Sequence, residues 1–178
     1  MDAEELKILR ALDTAVYSKG AKTVIEKIVT RVRAKLSTNP GRDMAWEPVP
    51  LETYSSDLPP FIRSSWVFIL RAQTITGAER HPNSHQRMLA YDGSGDFQTR
   101  GDGPWQSNLL TSDPAASIEE RWISIPVNVW HQSAGPEKDW VVVSFHTVAA
   151  EDLIEERPGE GDDGGSGEVR QMKYLDEE

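Results

Sequence analysis

Eight residues, "ERHPNSHQ" at 79–86, gather the chain's densest set of chemically active side chains. They hold Glu79, His81, His85 and Gln86, so two of the four histidines fall here, with Pro82 between them. Imidazole and carboxylate together suit divalent Fe, Mn, Ni, Zn or Cu. Residues two apart on a strand face the same side, so Glu79 and His81 can point the same way. The same eight residues can equally form a satisfied polar turn. A third histidine, His131, follows Trp130 in "PVNVWH" at 126–131. The fourth, His146, lies in "WVVVSFHTV" and alternates with Val142 and Ser144. The chain has no cysteine, which removes disulfides, thiolate ligands and a cysteine nucleophile. It also lacks a phosphate-binding glycine loop and a nucleophile triad.

Such side chains need elements to hold them. Residues 2–36 read as a helical pair. Asp2 and Glu5 have capping-box spacing, and "SKG" at 18–20 interrupts the run. The second helix lines up Ala21, Val24, Ile25, Ile28, Val29, Val32 and Leu36 on one face. That stripe must be buried, on the main domain or at a subunit interface. From residue 42 the texture changes to short apolar or alternating runs: 64–76, 86–91, 96–100, 105–111, 121–126 and 140–148. Turn residues such as "DGSGD" at 92–96 divide them. Many short strands with regular turns indicate a sandwich or barrel.

The formal charge of −10 is unevenly placed. Residues 151–178 carry eleven acidic and three basic side chains, which leaves −2 for the rest. The acidity is that of a solvated tail and requires no cationic partner. No basic stripe suggests nucleic-acid binding. No apolar run approaches the ~20 residues of a membrane span. An N-terminus without signal-peptide layout, together with the absence of cysteine, predicts a cytoplasmic protein. Three segments are expected: helices over 1–41, a β-barrel over 42–156, and a flexible acidic, Gly-rich tail over 157–178. Within the tail "VRQMKYL" reads as a small docked segment.

The strand region, roughly 60–150, resembles the cupin superfamily. Its first motif is two histidines separated by one residue, then three or four intervening residues and a glutamate, then six intervening residues and a glycine. Here Glu79 stands in the first histidine slot and His81 in the second. His85 or Gln86 fills the glutamate slot, and Gly93 is the turn glycine. The second motif is matched by Pro126, Asn128 in a glycine slot, and His131. Asn is an accepted substitute where the backbone is left-handed. The fold class implied is mainly β, a double-sheet jelly-roll barrel with an N-terminal helical pair.

The resemblance implies a divalent transition metal held by Glu79, His81, His85 and His131. Gln86, Tyr91, Trp130 and His146 would form the surrounding pocket. His85 and Gln86 have opposite parity, so only one faces inward on a regular strand. With Gln86 inward, Met88 and Ala90 join it, an apolar set suited to a core. With His85 inward, Arg87, Leu89 and Tyr91 join it, and the metal set is chemically stronger. His85 sits at the turn and is placed slightly ahead as a ligand. The expected function is metal-dependent Lewis-acid or oxygen chemistry on a small organic substrate, as an oxygenase, isomerase or lyase. The alternative is a non-catalytic small-molecule-binding or sensory module. A homodimer is expected, without nucleic-acid or membrane partners.

Overall fold

A computed structural model describes residues 1–54, 58–134, 137–159 and 168–177. Two helices lead the chain, α1 (Ala3–Val16) and α2 (Lys19–Thr38). The strands follow as β1 (Met44–Pro48), β2 (Ser64–Leu70), β3 (Gln86–Asp92), β4 (Ser94–Arg100) and β5 (Leu109–Thr111). A short helix α3 (Ile118–Arg121) precedes β6 (Trp122–Ile125), β7 (Trp130–Ala134), β8 (Trp140–His146), β9 (Ile154–Pro158) and β10 (Val169–Lys173).

Every strand pair is antiparallel. One sheet has the order β1-β2-β8-β3-β6 and a second β5-β4-β7. β9 and β10 form a two-stranded ribbon. Single bridges tie these together: residue 75 to β7, Glu79 to His131, and Arg80 to Glu156 of β9. The 75–80 segment therefore runs as an irregular strand between β7 and the ribbon.

The five-stranded sheet is buried on both faces, and β2 and β8 have no exposed residue. Its inner face carries Trp66, Phe68, Leu70, Met88, Ala90, Trp140 and Val142 against Phe97 and Leu110 of the second sheet. Its outer face carries Val67, Ile69, Leu89, Val141, Val143 and Phe145. Those residues meet Leu9 and Leu12 of α1 and Ile25, Ile28 and Val32 of α2. Each such fully buried side chain contributes about 1.5–3 kcal/mol. The helical stripe is thus covered within its own chain, which settles one of the two placements open in the sequence.

Polar contacts pin α1. Asp2 caps it by accepting from the Glu5 N–H at 2.8 Å. Glu5, however, does not complete a capping box. Its carboxylate takes two hydrogen bonds from Arg87, at 2.6 and 2.8 Å, and one from Ser124 at 2.7 Å. Asp13 similarly accepts from Arg121 and from the Trp122 indole.

The docked segment expected at "VRQMKYL" is found, which corrects the expectation of a flexible tail over the whole of 157–178. Residues 160–167 lie outside the described residues, but Val169–Lys173 form β10 on β9, and Tyr174 is buried. β9 itself runs to Pro158, past the expected barrel end at 156.

Candidate metal centre

Glu79 and His131 pair directly across an antiparallel bridge. The Glu79 N–H donates to the His131 carbonyl at 2.9 Å, and the His131 N–H to the Glu79 carbonyl at 2.8 Å. Residues directly opposite in such a pair project their side chains to the same face. His81, two residues on, shares that face. The backbone beside His81 is fixed by Asn128, whose N–H donates to the His81 carbonyl at 3.1 Å. Asn128 has φ +62°, so it does occupy the left-handed position implied by its glycine slot. Gly93 does the same at φ +96°.

One ligand atom each from Glu79, His81 and His131 lies within 4.8 Å of the others. The two imidazoles are oriented by the backbone. His81 Nδ1 is 3.0 Å from the Ile154 carbonyl, and His131 Nδ1 is 3.0 Å from the Val129 carbonyl. A carbonyl only accepts, so each Nδ1 carries the proton. Each Nε2 is then turned toward the cluster, the orientation usual for metal-binding histidines. His131 Nε2 lies 3.3 Å from Glu79 Oε1. A contact that close is held by a cation between the two atoms, either a proton on the imidazole or a metal ion in its place.

The electrostatics keep His81 neutral and Glu79 ionised. Burial pulls His81 down to about 4, and His131 adds to this; Glu79 and the Ile154 carbonyl oppose it without prevailing. For Glu79, burial acts upward but is outweighed by the hydrogen bond to His131 and the charges of His131, His81 and Arg157. Its carboxyl is held well below the ordinary range, at about 2. Arg157 Nη2 stands 3.7 Å from Glu79 Oε2 and also bonds the buried Glu155.

The remaining expected residues divide. His146 is buried, its ring centroid 5.0 Å from that of His81 and edge-on to it. Its nitrogens are taken by the hydroxyls of Ser84, at 3.3 Å, and Ser144, at 3.0 Å. Gln86 faces inward opposite His146, and its buried Oε1 has no hydrogen-bond partner. Gln86 and Glu79 line one cavity of about 30 Å³ with Phe68, Met88 and Ser133.

Three expectations are corrected. His85 is not with the cluster. β3 turns Gln86, Met88 and Ala90 inward, so His85 faces α1, where its Nε2 is 2.7 Å from Ser124 Oγ. Ser124 donates to Glu5, so His85 Nε2–H must donate to Ser124. Tyr91 shares that outer parity and stacks on Tyr17 with centroids 5.9 Å apart. Trp130, adjacent to His131, points to the opposite face and lies 4.5 Å beneath the Arg80 guanidinium. Conversely, Arg157 and Tyr174 were not anticipated at the site. Both belong to the ribbon after residue 153, where charged residues give no apolar alternation to read.

No protein-family model and no curated protein matches the sequence. Solved structures do match in fold. The salicylate 1,2-dioxygenase of Pseudoaminobacter salicylatoxidans, in complex with gentisate, aligns with 71% of this chain at TM-score 0.50 and 14% identity. The coconut allergen cocosin aligns with 66% at 0.49 and 17%. The capsular polysaccharide assembling protein CapF of Staphylococcus aureus aligns with 59% at 0.45 and 16%. The chain spans less than a third of each: 32%, 29% and 28% of their respective lengths. At 14% identity the likeness to the dioxygenase bears on the fold alone, and the two alignments with TM-scores of 0.49 and 0.45 carry no argument.

Proposed function

We propose that this chain, which has the cupin jelly-roll fold, binds a divalent transition metal through Glu79, His81 and His131 and acts on a small organic substrate. The carrying observation is the convergence of two backbone-oriented imidazoles and one carboxylate within 4.8 Å. Two histidines with one carboxylate suit a site with open coordination positions, of the kind non-haem Fe(II) uses. A metal held there would supply Lewis-acid or oxygen chemistry. The protein's own contribution is orientation. Ile154 and Val129 fix the rings, Arg157 stands beside the carboxylate, and His146 braces the His81 ring from its edge.

Metal content of protein purified without a histidine tag tests the proposal. About one metal per chain is expected, with a raised melting temperature on adding Mn(II), Fe(II), Ni(II) or Zn(II). His81→Ala and His131→Ala should each lose most of that occupancy. Full occupancy in both variants would sink the site.

One observation favours the non-catalytic alternative. The cavity beside Glu79 measures about 30 Å³, room for roughly two waters, whereas ligand clefts run to ~300–1,000 Å³. Under that reading the metal is structural or sensory. Metal-loaded protein that stays inert towards a panel of small organic acids, phenols and sugars would support it.

A further inference from the structure

The ribbon that closes the barrel beside the candidate centre is lightly attached. β10 pairs with β9 alone. Val169, Arg170, Gln171 and Lys173 are exposed, and Met172 is half-buried. Among the described residues after 168, only Tyr174 is buried, at 2% exposure. A single side chain therefore supplies most of the apolar burial of this segment.

That side chain sits in an aromatic box. Its ring centroid is 5.3 Å from Trp66, 5.4 Å from Trp46, 6.2 Å from His81 and 6.3 Å from Phe68. The ring planes cross at 42° to 81°, within the tilted and edge-on range that aromatic pairs prefer. Two walls are shared with the candidate site: His81 belongs to the Glu79–His81–His131 cluster, and Phe68 lines the cavity beside Glu79. The box also holds an unexplained donor. Trp66 is 1% exposed, and its Nε1–H has no partner. A buried donor left unpaired costs about 1–3 kcal/mol, and such exceptions in a native core call for a reason.

We propose that this box is the binding site for the aryl ring of a phenolic ligand, and that Tyr174 fills it when no ligand is present. The box offers four aromatic walls, one of them an indole whose N–H is unpaired, and a position against His81. Its present occupant is itself a phenol. This assigns a substrate class to the site of the proposed function and rests on that reading for the chemistry, but not for ring binding. A box occupied by the protein's own side chain weakens ligand binding by the fraction of time it is vacated.

Metal-free protein provides the test. The probes are p-cresol, which is the tyrosine side chain as a free molecule, and 4-methylcyclohexanol, similar in size but not aromatic. Tyr174→Ala should bind p-cresol roughly ten-fold more tightly than the wild type does. It should also prefer p-cresol over 4-methylcyclohexanol by a comparable factor. In the wild type, p-cresol should accelerate hydrogen exchange at the backbone amides of residues 169–174. Equal affinity of Tyr174→Ala for the two probes would make the box an ordinary core cavity and overturn the proposal. Wild-type exchange unchanged by p-cresol would overturn it too, and that measurement needs no variant to fold. If p-cresol binds but protein as purified carries no metal and takes up none on addition, the metal reading fails and this one stands.

Discussion

A neutral imidazole and an ionised carboxylate buried beside His131 set the residue-scale energetics. Holding His81 neutral with its Nε2 lone pair inward makes the site ready for a cation, and the same burial makes it sensitive to acid. His81 falls from 6.5 in the unfolded chain to about 4 in the folded one, mainly through burial. His146 is also driven well below 6.5, by burial and then by His81 and His131. Between those values the unfolded chain binds more protons than the folded one, so stability rises with pH. The benefit is complete above about pH 6.5 and is lost progressively as pH drops toward 4. Glu79 extends the loss from about 4.5 toward 2. The metal-free protein should therefore show a urea midpoint that is flat above pH 7 and declines steadily from pH 6.5 to 4. His146→Leu should have a shallower decline. An unchanged slope in that variant would mean His146 is not held neutral. Glu79, His81 and His131 were legible in the sequence because strand parity and two motifs place them. The choice between His85 and Gln86 was not. It turns on Arg87 and Ser124 both bonding Glu5, about eighty residues earlier in the case of Arg87, and no local pattern carries that contact.

At the scale of elements, two backbone positions decide whether the strands can meet. Gly95 lies within β4 against the Trp140 ring. A Cβ there would come within 2.3 Å of Trp140 Cε3. A strand glycine of this kind marks close approach rather than flexibility. Gly95→Ala must displace a fully buried indole, an overpacking cost of about 1–3 kcal/mol. For a chain of this size the melting temperature should fall by roughly 3–10 °C, readable by calorimetry. Asn128, at φ +62°, opens the turn that delivers His131. Asn128→Gly should leave stability within about 0.5 kcal/mol, whereas Asn128→Val places a β-branched residue where it is strained and should cost about 1–2 kcal/mol. Metal affinity should follow the same order, since the Asn128 N–H also fixes the His81 carbonyl. The strands that sequence alone revealed, such as 64–70 and 140–146, are rich in β-branched and aromatic residues. β9 reads "IEERP". Its buried Glu155 is accommodated by Arg157, and its Glu156 by Arg80. Pairing of charges after folding leaves no hydrophobic period beforehand.

The whole molecule is three layers: helices, a five-stranded sheet buried on both sides, and a second sheet with the ribbon closing the barrel. The helical layer was legible as an amphipathic pair, but its docking face was not, because an apolar stripe does not name its partner. Docking is fixed by charge as well as by burial. Arg87 projects from the outer face of β3, its side chain 5% exposed, and grips Glu5 through two hydrogen bonds. Burial acts upward on the Glu5 carboxyl, but bonds from Arg87 and Ser124 outweigh it and hold it ionised. Removing Glu5 leaves a guanidinium enclosed between helix and sheet without its carboxylate. Such a break costs about 3 kcal/mol, so Glu5→Ala should lower the melting temperature by roughly 6–12 °C. The pair need not be net stabilising, because each charge gave up its hydration to enter the interface. Glu5→Ala combined with Arg87→Leu should therefore recover much of the loss. If the double variant is instead as unstable as the sum of the two single changes, the coupling between Glu5 and Arg87 is zero and the pair is not what holds α1 against the barrel.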